Sequence, residues 1–408
     1  MSEFFVYACE DDYVGRCYWT AKRGRVSSMF SYDDSYIADR KSWNIDPALV
    51  FAGGAQPSGG ELPGAFRDAS PDRWGRTLIE HRFRKEFSTS SGKTRLLNEV
   101  DYLLGVSDYA RQGRLRFSLT QGGVFEHPST DVPKLVELPK LLRSARKFMS
   151  KEDEASVAYL LEAGSASLGG ARPKASVRDG DRLLIAKFPH RQDSWNVITW
   201  EWVLLEMAGA AGIRTPAHEL VSVEGKNVLL TERFDRSGGK RLGYISAMTL
   251  LGREDGDRAD YRDIALALRD VSAAAASDLE ELFRRTVFSV CVNNTDDHLR
   301  NHGLILSGSG WQLSPVFDVN PNPENASVRE TSVFGETQRE AALSAAIENA
   351  EVFGLSHDLA TAIAKEVIAA IRSWSKYATA AKIPQAEQSR FRQVFEQSQL
   401  SYPKRSDS

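Results

Sequence analysis

Two short stretches carry most of the chemistry that can be read from this chain. The first is Asn294-Thr295-Asp296-Asp297-His298-Leu299-Arg300-Asn301, and the second is Ser314-Pro315-Val316-Phe317-Asp318. Phosphoryl transfer needs a group that orients the acceptor hydroxyl and a divalent cation that offsets phosphate charge. An aspartate, an asparagine five residues later and a second aspartate beyond a hairpin meet those needs, with Asp296 as base and Asn301 and Asp318 as magnesium ligands. Polar residues in such a stretch also cap turns at the ends of helices and strands. His298 and His302 are four apart, but no glutamate base lies between them as in a His-Glu-x-x-His zinc site. His298 therefore reads as a structural histidine tying the loop to its surroundings. Arg300 can offset the charge of a transferring phosphate or form a surface ion pair.

A second group of residues can hold an anion. Ser167-Leu168-Gly169-Gly170-Ala171-Arg172-Pro173-Lys174 stands just before a hairpin pattern, and Gly169 and Gly170 leave room for a phosphate to approach backbone amides. An ordinary packing turn has the same composition. The Walker pattern is absent here, because Pro173 stands where a glycine must precede the lysine, and Ser91-Gly92-Lys93-Thr94 lacks the initial glycine, with Phe87 at that position. Lys187 interrupts the apolar run Leu184 to Pro189, so strand alternation can aim it into a cleft or let it snorkel to water. Glu201, in the following helical stretch, can orient that lysine or sit on a solvated helix face.

These residues need elements to position them. Phe4 to Cys9 and Leu115 to Leu119 read as strands, and Pro71 to Phe87 as a helix, within an α+β region rich in Gly, Pro and Asp. Ala171 to Phe188 reads as two strands around Asp179-Gly180. A helix over Trp195 to Ala211 follows, then a second hairpin with Leu220 to Val223 and Val228 to Thr231 as its strands. The next 140 residues are mainly helical. Asp278 can cap a helix bearing Leu279, Leu282, Phe283, Thr286 and Val290, and Ser356 precedes Leu359, Ile363, Val367, Ile371 and Trp374 at helical spacing. Leu304 to Leu306 and Trp311 to Val316 flank Ser307-Gly308-Ser309-Gly310 as a hairpin between Asn301 and Asp318.

Composition narrows the class further. In 408 residues, 52 basic against 55 acidic side chains give a net charge of −3, which argues against a broad nonspecific nucleic-acid surface. Apolar residues at 42% and aromatic residues at 10% fit a folded chain rather than a disordered one. Three cysteines, Cys9, Cys17 and Cys291, make neither a disulfide framework nor a metal knuckle, so a reducing cytoplasm is the expected home. The start of the chain lacks a signal-peptide pattern, and no run reaches the ~20 apolar residues of a membrane span, so no membrane association is expected.

Taken in order, these motifs resemble the HipA-like serine/threonine kinases, the toxin components of bacterial type II toxin-antitoxin systems. The resemblance runs over roughly residues 3 to 380. It includes Leu62 to Asp68, Pro71-Asp72-Arg73-Trp74-Gly75-Arg76, Gly105-Val106-Ser107-Asp108, Ser167 to Lys174, Leu184 to Pro189, Thr231-Glu232-Arg233-Phe234-Asp235-Arg236, Asn294 to Asn301 and Ser314 to Asp318. It implies an α+β, two-lobed protein kinase fold with an N-terminal α+β accessory domain. The divisions are an accessory domain at 1–125, a linker region at 126–150, a small lobe at 151–236, a mainly helical large lobe at 237–380 and a C-terminal extension at 381–408. It further implies ATP and Mg2+ as cofactors, Glu232 and Phe234 as backbone contacts to adenine, Lys187 on phosphate, and Ser167 as an autophosphorylated serine. Its implied partners are a HipB-like DNA-binding antitoxin, through which any nucleic-acid association is indirect, and a translation-related protein substrate. Arg300 stands where better-known members have lysine, and Arg172-Pro173 where some have Gln-Glu. A kinase of small hydroxyl compounds and a catalytically silent antitoxin-binding scaffold are the alternative functions.

Overall fold

The computed structural model describes residues 1–8, 12–89, 95–128, 131–150, 154–167, 170–308, 310–324 and 328–397. The chain divides into two compact units. The first comprises Met1–Gln192 with Val221–Ile245, and the second Asp193–Leu220 with Ser246–Ser408. Residues 9–11 and 398–408 lie outside the described set, so Cys9 and the polar tail beyond Tyr402 are not characterised.

Two larger sheets lie mainly in the first unit. Strands β1 (Ser2–Tyr7), β2 (Tyr13–Lys22), β3 (Arg25–Tyr32), β4 (Gln56–Pro57) and β5 (Arg116–Ser118) assemble in the order β4-β3-β2-β1-β5. Phe4, Phe30, Phe66 and Phe117 are fully or almost fully buried beneath this sheet and meet at tilted or edge-on angles, with centroids 5.2 to 6.0 Å apart. The second sheet comprises β6 (Lys174–Asp179), β7 (Arg182–Lys187), β8 (His218–Val223) and β9 (Lys226–Glu232), in the order β6-β7-β9-β8. Asp179-Gly180 makes the expected tight turn, with Gly180 at φ +58°.

The stretch read as a linker is packed. Helix Leu138–Met149 carries Leu138, Leu141, Leu142, Ala145 and Phe148 at helical spacing, and all five are buried with Ala175, Val177, Leu184 and Ala186 of β6 and β7. Charged residues between them gave the segment its linker-like composition, although one face is continuous and apolar. The N-terminal region and the second sheet therefore belong to one unit.

A buried ionic network ties that unit together. Asp235 accepts from Arg233 at 2.5 and 2.8 Å, from Arg236 at 2.7 Å and from the Gly113 amide at 2.7 Å. Arg233 also donates to the Ala110 and Arg111 carbonyls, and Arg236 to those of Tyr109 and Arg111. Arg111, itself fully buried, donates to the Ala69, Leu103 and Val106 carbonyls, and Arg241 donates to the Asp108 carbonyl. Residues 108–113 and 233–241 thus meet across more than 120 residues of chain.

The second unit is mainly helical. Helix Val197–Ala210 is buried along most of its length, and Trp200 stacks on Phe391 with centroids 4.3 Å apart. Phe391 lies in helix Gln385–Gln397, and Glu387 of that helix accepts from the Trp200 indole at 2.8 Å and from Asn196 at 2.9 and 2.7 Å. This part of the C-terminal stretch is integral to the unit. Ser356 caps helix His357–Ile371 through its side chain and the Leu359 amide. Leu359 itself is exposed, and the buried face runs through Ala360, Ile363, Ala364, Val367, Ile368 and Ile371. Trp374 opens a separate helix, Trp374–Ala380.

Asp278 is not the cap of its helix. The helix spans Ala275–Cys291, and the buried Asp278 in its first turn accepts from the Ser272 hydroxyl at 2.7 Å, the Leu313 amide at 3.0 Å and Arg214 at 2.7 Å. Leu313 ends the hairpin of Gly303–Ser307 and Gly310–Leu313, so this carboxylate anchors the hairpin that separates Asn301 from Asp318.

The Asp235 carboxyl lies well below the usual range. Burial opposes its charge, but Arg233, Arg236 and the Gly113 amide outweigh that penalty. Replacing it with alanine leaves two buried guanidiniums uncompensated. Asp235→Ala should therefore lower the unfolding free energy by about 3 to 5 kcal/mol, measured by urea denaturation at pH 7. A loss below about 1 kcal/mol would show that the network is not needed for stability.

Candidate active site

The loop after helix Ala275–Cys291 is held from beneath by Asp297. This buried carboxylate accepts from Ser289 Oγ at 2.6 Å and from the Tyr261 hydroxyl, and His302 Nε2 stands 3.2 Å away in an ion-pair contact. Burial alone would raise its pKa, but His302 and the hydrogen bonds hold it well below the usual carboxylate range. Thr331 donates its hydroxyl to the Asp297 carbonyl. Arg329, almost fully buried, donates to Ser289 Oγ at 2.9 Å and to the Asn294 carbonyl at 3.0 Å.

A second strap closes the loop from the other side. Asn293, at φ +54°, donates to the Asn322 carbonyl at 2.8 Å, and Asn322 donates to Thr295 Oγ1 at 2.9 Å. The Glu330 amide donates to the Thr295 carbonyl at 3.0 Å. The chain is thereby fixed on both sides of Asp296.

Asp296 itself opens to solvent, unlike its neighbour. Enough protein surrounds it that partial burial is the largest influence on its carboxyl and raises the pKa. His298 acts in the opposite direction, whereas Asp318, Glu330 and Asp297 push it further up. Asn301 is buried on the one-turn helix Leu299–Asn301, and its Nδ2 donates to the Asp296 carbonyl at 3.1 Å. Asp318 sits at φ +56°, a left-handed conformation that aspartate tolerates better than most residues. The second unit therefore brings Asp296, Asn301 and Asp318 into one neighbourhood. Two side-chain oxygen donors of this kind suit a hard cation such as magnesium, which binds through one or two protein oxygens plus phosphate and water. Among the described residues, no group of three or more His, Cys, Asp or Glu is arranged to hold a metal.

The flanking residues divide differently from expectation. His302, rather than His298, ties the loop to its surroundings through Asp297, while His298 Nδ1 is buried with no hydrogen-bond partner among the described residues. The two histidines flank opposite ends of this short helix, His298 before it and His302 after it. Arg300 makes an ion pair with the exposed Asp255 at 2.6 Å.

The remaining expected residues lie elsewhere in the chain. Lys187 ends β7, is buried, and stands opposite Lys174 on β6 and Leu229 on β9. Glu232 stands opposite Leu184, three residues along the same ladder, and makes an ion-pair contact with Arg182 at 3.6 Å. Phe234 is half-buried near Tyr244, with ring centroids 6.2 Å apart. All of these belong to the first unit, whereas Glu201, buried on helix Val197–Ala210, belongs to the second.

The turn Ser165–Ser167 leads toward the glycine-rich segment, also in the first unit. Leu168 and Gly169 lie outside the described residues, and Ser167 is described by its backbone alone. Gly170, at φ +93°, donates its amide to Asp72. Asp72 begins a supporting role that the motif at 71–76 alone did not disclose. Trp74 donates its indole N–H to the Lys174 carbonyl at 3.2 Å, and Arg76 forks onto Glu99 at 2.7 and 2.6 Å. Arg329, Tyr261, His302 and Asn322 were likewise missed. Their sequence context carries no signal of a supporting role: Asn322 stands between two prolines, and Arg329 between Val328 and Glu330.

A family model for the HipA-like C-terminal domain matches residues 166–375, just over half of the chain. This chain belongs to the HipA-like family. Its fold is similar to that of HipA from Shewanella oneidensis MR-1, solved in complex with HipB and operator DNA. The TM-score is 0.66 at 14% identity, covering 97% of this chain and 95% of that one. The α+β HipA-like kinase fold expected from the motifs is therefore the fold observed. Two curated proteins of Sinorhizobium fredii (strain NBRC 101917 / NGR234) also match. "Putative kinase Y4mE" is 27% identical over 149 residues, and Y4dM, with the same form of name, 28% over 178. The matches span 33% and 43% of those relatives' lengths, and 33% and 39% of this chain. The matched family region contains every residue of the Asp296 loop and its straps.

The depressed Asp297 carboxyl has a pH consequence with a definite sign. A group whose folded pKa lies below its unfolded value contributes stability that is fully present above the unfolded value, about 3.9 for aspartate, and is lost as pH falls through the folded one. Wild type should exceed Asp297→Asn in unfolding free energy by a constant margin from pH 7 to about pH 5, with the margin narrowing below about pH 4. Urea titrations of both proteins across that range measure it, and a margin that grows on acidification would contradict the assignment.

Proposed function

We propose that this HipA-like protein is an ATP- and magnesium-dependent serine/threonine-protein kinase. The observation that carries the reading is the pair of adjacent aspartates with opposite environments. Asp297 is buried, charged and fully engaged, which fixes the loop, while Asp296 is open to solvent with a raised pKa. General-base chemistry benefits from that second state, because a carboxylate of raised pKa is a better proton acceptor.

In this mechanism Asp296 orients the serine or threonine hydroxyl and takes its proton as the oxygen attacks the γ-phosphorus. The bond between that phosphorus and the ADP oxygen breaks, and ADP leaves. Magnesium, held through Asn301 and Asp318, would offset the charge on the phosphates. Lys187 binds phosphate as a point charge, and the backbone at Glu232 and Phe234 binds adenine. Glu232 and Lys187 are separated by three residues along the β7–β9 ladder, about 10 Å, a span of nucleotide size that supports this division. Gly169 and Gly170 serve as the close-approach positions for phosphate. Arg300 is assigned to the rim of the site on the strength of its Asp255 pair.

The biological setting follows from the family. The Shewanella oneidensis structure contains HipB and operator DNA, which supports a HipB-like DNA-binding antitoxin as partner and a toxin role for this chain. A translation-related protein is the proposed substrate. Cys17 and Cys291 are buried free thiols, which suits action in the cytoplasm. Among the described residues, no helix is long and apolar enough to cross a membrane.

Incubation with radiolabelled ATP and a candidate protein mixture tests the activity. Label should appear on protein serine or threonine; label only on a small molecule, or ATP binding without turnover, would overturn the reading. Asp296→Asn should keep nucleotide binding and lose on the order of 10²-fold or more in transfer rate. Asp318→Asn should in addition weaken magnesium-dependent nucleotide binding in a calorimetric titration.

Ser167 is the proposed site of self-modification. Its phosphate would add about −1.5 to −2 charges beside the glycine-rich segment and compete with the phosphates of ATP. Homogeneous phospho-Ser167 protein, verified by mass spectrometry, should bind ATP more weakly and transfer more slowly than the unmodified form. Equal affinity and rate would remove the inhibitory switch.

A further inference from the structure

The first unit contains a cavity of about 740 Å³ for which the kinase reading has no use. Its floor is apolar, made by Val157, Ala158 and Leu161 of helix Glu154–Glu162. Its rim is basic, made by Arg82, Arg84 and Lys85 of helix Arg73–Thr89, with Glu162 as the one acidic side chain in the lining. Arg82 spends one N–H on the Gly105 carbonyl at 3.2 Å, and Arg84 forms an exposed pair with Glu80 at 3.3 Å. The volume lies within the range of small-molecule sites, where an apolar wall supplies contact area and a few polar groups fix orientation.

Both walls lead to the same place. Helix Glu154–Glu162 continues directly into Ala163, Gly164 and the turn Ser165–Ser167. The Ala163 and Gly164 amides donate back to Tyr159 and Leu161 of the helix at 2.9 and 3.0 Å. Helix Arg73–Thr89 touches that turn at Gly75, where a Cβ would lie 2.5 Å from the Ala166 carbonyl oxygen. Leu161 is shared between the cavity wall and the cluster of Ile79, Val106 and Ala166 that packs the turn.

We propose that this cavity binds a small organic anion with an apolar body, and that its occupancy stiffens the turn ending at Ser167. The apolar part lies against Val157 and Leu161, and the anionic group meets Arg84 and Lys85. A ligand bridging the two helices restrains their separation, and the turn is the segment to which both are joined.

The aromatic sulfonate 8-anilino-1-naphthalenesulfonate has this chemistry and reports its own binding by fluorescence. Titration of the full chain should give saturable 1:1 binding that saturating ATP does not displace. Ala158→Trp, at an exposed helix position, fills the cavity and should weaken binding by at least about tenfold. The double reversal Arg84→Glu, Lys85→Glu, also at exposed positions, should weaken it by a similar factor, since charge-assisted contacts are lost. Circular dichroism and melting identify any variant that fails to fold, and the two variants perturb different walls. Hydrogen exchange at the Ala163 and Gly164 amides should slow on saturation.

Dye affinity unchanged in both folded variants, displacement by ATP, or exchange at 163–164 unaltered by bound dye would each overturn the proposal. None of these readouts requires turnover, so a failure of the kinase assignment is seen separately.

Discussion

A charge taken out of water must be met by opposite charge and hydrogen bonds, and each unit of this protein is organised around one carboxylate that satisfies this demand. In the first unit it is Asp235, gripped by two arginines and an amide; in the second it is Asp297, gripped by a serine, a tyrosine and a histidine. Neither arrangement has much value as attraction alone, because desolvation offsets most of the Coulomb energy. Their effect is specificity. Removing any partner strands a buried charge, so the chain segments that supply the partners have few alternative placements. Burial lowers the pKa of Arg111 to about 10, of Arg236 to about 9 and of Arg241 to about 10, yet all remain cationic near neutrality.

The entrance to the glycine-rich segment shows how such constraints propagate. Its glycines permit close approach to an anion, but glycine-rich backbone has high conformational entropy and does not hold a shape by itself. The motif at 71–76 supplies the shape from outside. Asp72 receives the Gly170 amide, Gly75 lets the helix lie against Ala166, and Trp74 fixes β6 through the Lys174 carbonyl. Arg76 then binds Glu99, the first residue of helix Glu99–Leu104. A region that reads as an accessory domain thereby becomes part of the scaffold of the sheet β6-β7-β9-β8.

The loop at 294–301 applies the same principle to neighbouring residues. Asp296 and Asp297 are covalently adjacent and chemically identical, yet one is buried and ionised by its partners while the other is exposed with a raised pKa. Backbone geometry separates them: helix Ala275–Cys291 ends, Asn293 adopts a left-handed conformation, and the two side chains leave in different directions. The straps from Arg329, Asn322 and Thr331 hold that geometry. The exposed Asp296 carboxylate is thus positioned by hydrogen bonds to the backbone and side chains on either side of it.

The sequence by itself determined the local elements and the family. Turn chemistry at Asp179-Gly180 and the helical spacing after Ser356 are decided by residues close in the chain, so pattern and propensity suffice to read them. The ordered motifs from Leu62 to Asp318 likewise pointed to the HipA-like fold. Only the tertiary structure decided which polar residues are partners. Asp278 has the spacing of a cap but anchors a hairpin, because Ser272, Arg214 and the Leu313 amide reach it from elsewhere. The same holds for His302 in place of His298, for the packed helix at 138–149 inside a linker-like composition, and for the meeting of residues 108–113 with 233–241. Apart from Ser272–Asp278 and Asp297–His302, these contacts join residues tens to more than a hundred positions apart, and the energies of all of them depend on burial, which is a property of the folded chain and not of any segment read alone.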